Sequence, residues 1–175
     1  MLNELVNRSR ALPANAKVLI LGGGYSGRML AALLRRLGNT VLCTRRDQSR
    51  PDADLLFDSD RDLMPQPDAL QGITHLLSTI PPSPEGQDPA LQCLRSQLES
   101  MPLQWVGYLS TTGVYGDTQG NWVRETDPAR PGQARSRRRL DCEAAWRDSG
   151  LPIQILRLPG IYGPGRSVLN TVQEG

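Results

Sequence analysis

The chain has almost no histidine or lysine: among 175 residues there is one of each, His75 and Lys17. A Ser-His-Asp arrangement would rest on His75 alone, and that residue falls inside an apolar stretch that reads as a strand, a poor place for a catalytic base. Cysteine is scarce as well. Cys43, Cys93 and Cys142 are odd in number and lack C-x-x-C spacing, which argues against a disulfide framework or a zinc site and suits a reducing cytoplasm. No apolar run approaches the length of a membrane span. Residues 1–15 are polar and carry Glu4, Arg8 and Arg10, so they contain no signal-peptide h-region. The formal charge of +2 is too small to imply a nucleic-acid or membrane partner. Internal repeats and low-complexity tracts are absent, and the length suits one domain with a real core.

Glycine is abundant where it counts. Val18 to Leu21 is a short apolar run, and glycines follow at 22, 24 and 27 before an amphipathic stretch with the stripe Met29, Leu30, Leu33, Leu34 and Leu37, stopped by Gly38. This is a dinucleotide-binding turn between a buried strand and a helix. Gly22 permits the tight turn, Gly24 lets the backbone approach a pyrophosphate, and Gly27 lets the helix pack close to the strand. Tyr25 and Ser26 complete the turn, and the helix from about Ser26 to Leu37 directs its N–H groups and dipole at the phosphates.

Strands and helical stretches alternate along the chain. The predicted strands are Lys17 to Leu21, Thr40 to Thr44, Asp54 to Phe57, Thr74 to Ile80, Gln104 to Ser110 and Ile153 to Leu158. Asp88 followed by Pro89 is a helix N-cap with proline at N1, and a helix follows to about Glu99. Arg137 to Ser149 reads as another, stopped by Gly150 and Pro152. This pattern predicts an α/β fold, a Rossmann-type doubly wound parallel sheet of order 3-2-1-4-5-6 with ligands at the carboxyl ends of the strands. Residues 1–16 form a polar extension and 17–175 the nucleotide-binding domain. The loops Pro81 to Gln87 and Tyr115 to Ala134 lie at that edge, as do Ser78 and Thr79, candidates for cofactor contact.

The end of the second strand bears on the cofactor. An NAD-selecting turn usually places a carboxylate there for the ribose hydroxyls. Here the residues are Thr44, Arg45 and Arg46, whose guanidinium groups suit a 2′-phosphate, so NADP is favoured with NAD as the alternative. The missing acid also argues against an S-adenosylmethionine methyltransferase. Asp47 follows, and surface arginines are the plainer explanation. Asp58 is placed either to meet the adenine amino group or to cap a helix.

Four segments together resemble the NAD-dependent epimerase/dehydratase family, the extended and atypical short-chain dehydrogenases. They are the turn Gly22-Gly23-Gly24-Tyr25-Ser26-Gly27, the strand end Leu109-Ser110-Thr111-Thr112-Gly113-Val114-Tyr115-Gly116-Asp117, the helix segment Arg139-Leu140-Asp141-Cys142-Glu143, and Leu156-Arg157-Leu158-Pro159-Gly160-Ile161-Tyr162-Gly163-Pro164-Gly165. The resemblance runs from Lys17 onward. It implies a nicotinamide cofactor, a small-molecule substrate such as a sugar nucleotide or another carbonyl or hydroxyl compound, and a Ser or Thr hydroxyl that orients the substrate oxygen, here Thr111 with Ser110 as its neighbour.

The chain departs from that family in two places. Counting back from Glu143 puts Arg139 at the family's lysine position and Arg135 at its tyrosine position, and no tyrosine lies between Tyr115 and Tyr162. Arginine can bond a ribose or phosphate, but it stays protonated and cannot relay a proton. This resembles the family's atypical branch. Tyr115 and Tyr162 are the phenols that remain. The run Arg135, Arg137, Arg138, Arg139 opens a helix, where cations are unfavourable, so either an anion sits there or the run is a solvated face. The second departure is the stop at Gly175, before the smaller substrate lobe found in the family. The expectation is a truncated enzyme or a stand-alone nucleotide-binding module, and the two readings of function are accordingly an oxidoreductase or epimerase and a non-catalytic NADP-binding or sensing module.

Overall fold

A computed structural model describes residues 2–47 and 54–166. The strands are β1 (Lys17–Leu21), β2 (Thr40–Arg45), β3 (Leu55–Leu56), β4 (His75–Ser78), β5 (Trp105–Thr111) and β6 (Ile153–Leu158), and the helices are α1 (Leu2–Arg8), α2 (Tyr25–Arg36), α3 (Pro89–Ser100) and α4 (Ala134–Arg147). The strands form one sheet of order β3-β2-β1-β4-β5-β6, and every pair is parallel. The predicted order is thus the observed one.

The sheet has two faces because the side-chain period of a strand is two. Leu19 and Leu21 of β1 join Leu76, Val106, Tyr108 and the α3 and α4 residues Leu91, Leu94, Leu98, Cys142 and Trp146 in one core. Val18 and Ile20 point the other way and pack with Ala31 and Leu34 of α2, Val41, Cys43 and Leu77. Both faces are covered, as a parallel sheet requires.

Several local devices follow from sequence. Asp88 caps α3 as expected: Ala90 and Leu91 N–H donate to its Oδ1 at 3.0 and 3.1 Å. Its other oxygen accepts from the Trp146 indole at 2.9 Å, so one buried carboxylate ties α3 to α4. Burial raises its pKa, against the hydrogen bonds and the Arg139 charge. His75 sits at the amino end of β4 with Nδ1 2.9 Å from the Thr74 hydroxyl, and burial lowers its pKa. It is remote from the carboxyl edge of the sheet.

The differences from sequence are few. The polar extension of residues 1–16, for which no element is predicted, contains the short helix α1. The strand expected over 54–57 contracts to two residues, and Asp54 instead ties the end of α2 to β2. Its carboxylate accepts from the Cys43 N–H at 2.7 Å and pairs with Arg35. The helix α4 begins at Ala134 rather than Arg137. The expected domain range runs to Gly175, and its last nine positions lie outside the described residues.

Candidate functional site

Two open clefts lie along the carboxyl ends of the strands, sharing Pro81 as a common wall. The first, about 410 Å³, has Gly22, Gly23 and Gly24 along one side and Thr44, Arg45, Arg46 and Asp47 along another. The second, about 1040 Å³, is lined by residues of β5, the loop after it, the start of α4 and the loop after β6.

The glycine turn is held from both flanks. Gly22 N–H donates to the Thr44 hydroxyl at 3.0 Å and Gly23 N–H to the Thr44 carbonyl at 2.7 Å. Thr79 donates to the Gly22 carbonyl at 2.6 Å. Gly22 has φ +94°, a left-handed value that only glycine adopts at low cost. At Gly27 a Cβ would strike the Gly22 carbonyl, which is the close packing of helix on turn that its place in the pattern implies. At Gly24 a Cβ would meet nothing within 4 Å. Its backbone faces open space in the cleft, as a surface for a pyrophosphate must.

Of the residues expected to hold a cofactor, the structure brings Gly22, Gly24, Arg45, Arg46 and Thr79 to the first cleft and Arg139 to the second. Arg46 is exposed and lies 3.7 Å from Asp60, a surface pairing that contributes little and that a phosphate can displace. Asp58 is occupied elsewhere. It caps the short 3₁₀ turn Ser59–Arg61, accepting from the Asp60 N–H at 3.1 Å, and its neighbour Ser59 reaches the cleft instead. Tyr25, Ser26, Gly27 and Ser78 do not line either cleft. Ser78 is wholly buried and its hydroxyl finds no hydrogen-bond partner among the described residues.

Thr111 lines the second cleft, and its Oγ1 accepts from the Gly113 N–H at 3.1 Å, which leaves its own proton free to donate. Ser110 does not reach the cleft. Strand alternation turns it to the same face as Val106 and Tyr108, where it donates to Glu143 at 2.6 Å. Glu143, 0% exposed, also receives Arg157 through Nε at 3.0 Å and Nη2 at 2.7 Å, and Arg147 at 3.1 Å. Burial works to raise the Glu143 pKa, but the hydrogen bonds from Arg157 and Ser110 and the charges of Arg157 and Arg147 outweigh it and hold the carboxyl below the usual 4.5. The remaining Nη1 of Arg157 donates to the Tyr115 hydroxyl at 2.8 Å. Tyr115 is therefore engaged away from the second cleft, and Tyr162, 73% exposed, does not line it either.

Arg139, at the place where the resemblance puts a lysine, is bound to the protein. Its Nη1 donates to the Ile80 carbonyl at 3.1 Å, the Leu109 carbonyl at 2.9 Å and the Tyr108 hydroxyl at 2.9 Å. Arg138 donates to the Pro84 carbonyl at 2.9 Å. Sequence reasoning missed Ser136, a buried residue that lines the second cleft beside Gly113, because a serine in an arginine run carries no signal of its own. Among the described residues no cluster of His, Cys, Asp and Glu could hold a metal ion, and no helix is long and apolar enough to cross a membrane.

No protein-family model matches the chain. Protein YeeZ of Escherichia coli K12 is 33% identical over 172 residues, and the match takes in 86% of this chain. A functionally unknown conserved protein from Silicibacter pomeroyi is 36% identical with a TM-score of 0.79, covering 91% of this chain and 58% of its own. A structure from Methylobacillus flagellatus, provisionally named an NAD-dependent epimerase/dehydratase, is 31% identical with a TM-score of 0.70, covering 91% of this chain and 59% of that one. The chain thus resembles a structure named for the NAD-dependent epimerase/dehydratase family, and it shares that structure's parallel doubly wound fold. It spans about 60% of the length of YeeZ.

Proposed function

We propose that the chain binds a nicotinamide dinucleotide across both clefts, adenosine in the first and nicotinamide in the second, with NADP(H) preferred over NAD(H). The observation that carries this reading is the first cleft itself: an accessible Gly24 backbone faced by Arg45 and Arg46 at the end of β2. When bound, the nicotinamide accepts or donates hydride. The chain's own residues position the reactants: Thr111 donates to a substrate oxygen, and the glycine turn fixes the phosphates. A small-molecule substrate with a carbonyl or hydroxyl group, a sugar nucleotide among the candidates, suits the arginines that line the second cleft. A reducing cytoplasm fits the three unbridged cysteines.

Replacing Arg45 by Ala is expected to weaken NADP binding about tenfold or more, since a hydrogen bond to a charged group contributes roughly 1.5–3 kcal/mol. NAD affinity should barely change. Calorimetric titration of both cofactors against parent and variant checks this, and equal affinities in the parent would rule out the NADP assignment.

A second reading has its own observation. Arg135 and Arg139 occupy the positions of the family's proton-transfer pair, and neither Tyr115 nor Tyr162 lines the second cleft. On that reading the chain retains NADP without catalysis. General acid–base help typically contributes about 10²–10⁴-fold, so its loss leaves hydride transfer to simple carbonyls at background. Clear turnover that disappears in Thr111→Ala would restore the enzymatic reading.

A further inference from the structure

The first turn of α2 and the loop after β6 meet at a single ring. Tyr25 directly follows Gly24, and its hydroxyl donates to the Pro164 carbonyl at 3.2 Å. The loop comes so near that a Cβ on Gly163 would collide with the phenol oxygen. Two guanidinium groups converge on the same ring: the Arg28 carbon lies 5.7 Å from its centroid and the Arg166 carbon 5.6 Å. Residues 139 positions apart in sequence thus form a strap between the clefts. One end of it follows Gly24 in the first cleft, and the other carries Arg166, which lines the second.

The charges at this strap are unbalanced. Neither Arg28 nor Arg166 has a carboxylate partner among the described residues. Arg28 is in the first turn of α2, where the helix dipole disfavours a cation, and α2 has no acid in that turn. Two like charges stacked on one ring at a positive helix end are relieved by an anion, and guanidinium groups match phosphate oxygens in a planar, two-pronged geometry. A ligand spanning both clefts runs from Gly24, the residue before Tyr25, to Arg166. In a dinucleotide the anion is the diphosphate.

We propose that Arg28 and Arg166, presented on Tyr25, clamp the diphosphate of the bound dinucleotide, and that the Tyr25 to Pro164 contact draws residues 159–166 over it. The inference rests on the reading of the two clefts as one dinucleotide site, and it goes further in making the loop after β6 part of the phosphate site.

ADP-ribose is the probe, because it carries the diphosphate without nicotinamide or a 2′-phosphate. Calorimetry on the full chain should show Arg166→Gln weakening ADP-ribose at least tenfold, with Arg166→Lys recovering part of the loss. Arg36→Gln, an exposed arginine at the far end of α2, controls for general charge and should leave affinity unchanged. Tyr25→Phe keeps the ring and loses the hydroxyl, so NADPH should dissociate several-fold faster by stopped flow. Circular dichroism establishes that each variant is folded. If the parent binds ADP-ribose and Arg166→Gln binds it within twofold, the clamp is overturned while the dinucleotide reading stands. If the parent binds neither ADP-ribose nor NADPH, both fall together.

Discussion

Gly24→Val is expected to abolish dinucleotide binding without unfolding the protein. The two halves of that expectation come from one position. Gly24 has φ −69° and ψ −162°, an extended conformation open to any residue, and a Cβ there meets no protein atom within 4 Å. The valine therefore costs the fold little. It does fill the space that a pyrophosphate needs against the backbone, so affinity for NADPH should fall at least about a hundredfold, which is ~2.7 kcal/mol. Gly27→Ala is the opposite case. Its Cβ strikes the Gly22 carbonyl, so the melting temperature should drop whether or not ligand is present. Thermal melts and fluorescence titration of both variants check the contrast, and a Gly24→Val protein that bound NADPH like the parent would place the phosphates elsewhere.

Glu143→Gln is expected to destabilise the fold more than any surface change. The carboxylate is wholly buried, and Arg157, with 13% of its side chain exposed, depends on it for three of its contacts. Removing one partner of a buried ion pair leaves the other charge uncompensated, at about 3–5 kcal/mol. For a domain of this size that corresponds to a loss of roughly 6–20 °C in melting temperature. The same group sets a pH dependence. Its pKa in the folded protein lies below the ordinary 4.5, so its contribution is fully present above that value and is lost as pH falls through the folded pKa. Stability of the parent should therefore decline in the acid range below 4.5, and the Gln variant should show a flatter profile there. A variant that melted within about 2 °C of the parent would remove Glu143 from the account of stability.

The fold was legible because its signals are local. Val18 to Leu21 followed by Gly22, Gly24 and Gly27 sets a strand, a turn and a helix within a dozen residues, and Asp88-Pro89 announces a cap whatever the rest of the chain does. The first cleft is built largely from such segments, which is why Arg45, Arg46 and Thr79 could be placed from sequence. The second cleft could not be read in the same way. Ser110 and Thr111 are adjacent and chemically alike, and only the parity of β5 turns one toward Glu143 and the other toward the cleft. Asp58 was open between adenine and a helix cap, and the choice depends on a 3₁₀ turn too short to leave a periodic signal. Tyr25 was expected to face the cofactor within the glycine turn. Its partner proved to be Pro164, and no local pattern records a contact over that separation.

Arg139 joins helix to sheet at the edge where the second cleft opens. Through one nitrogen it holds the carbonyls of Ile80 and Leu109 and the Tyr108 hydroxyl, so α4 and the ends of β4 and β5 form a single body. Glu143, lower on the same helix, extends that body to β6 through Arg157. A cleft with one wall braced in this way behaves as a vice with a fixed jaw. Residues 159–166, which also line that cleft, are held more lightly: their described attachment beyond β6 includes a tyrosine ring and one hydrogen bond.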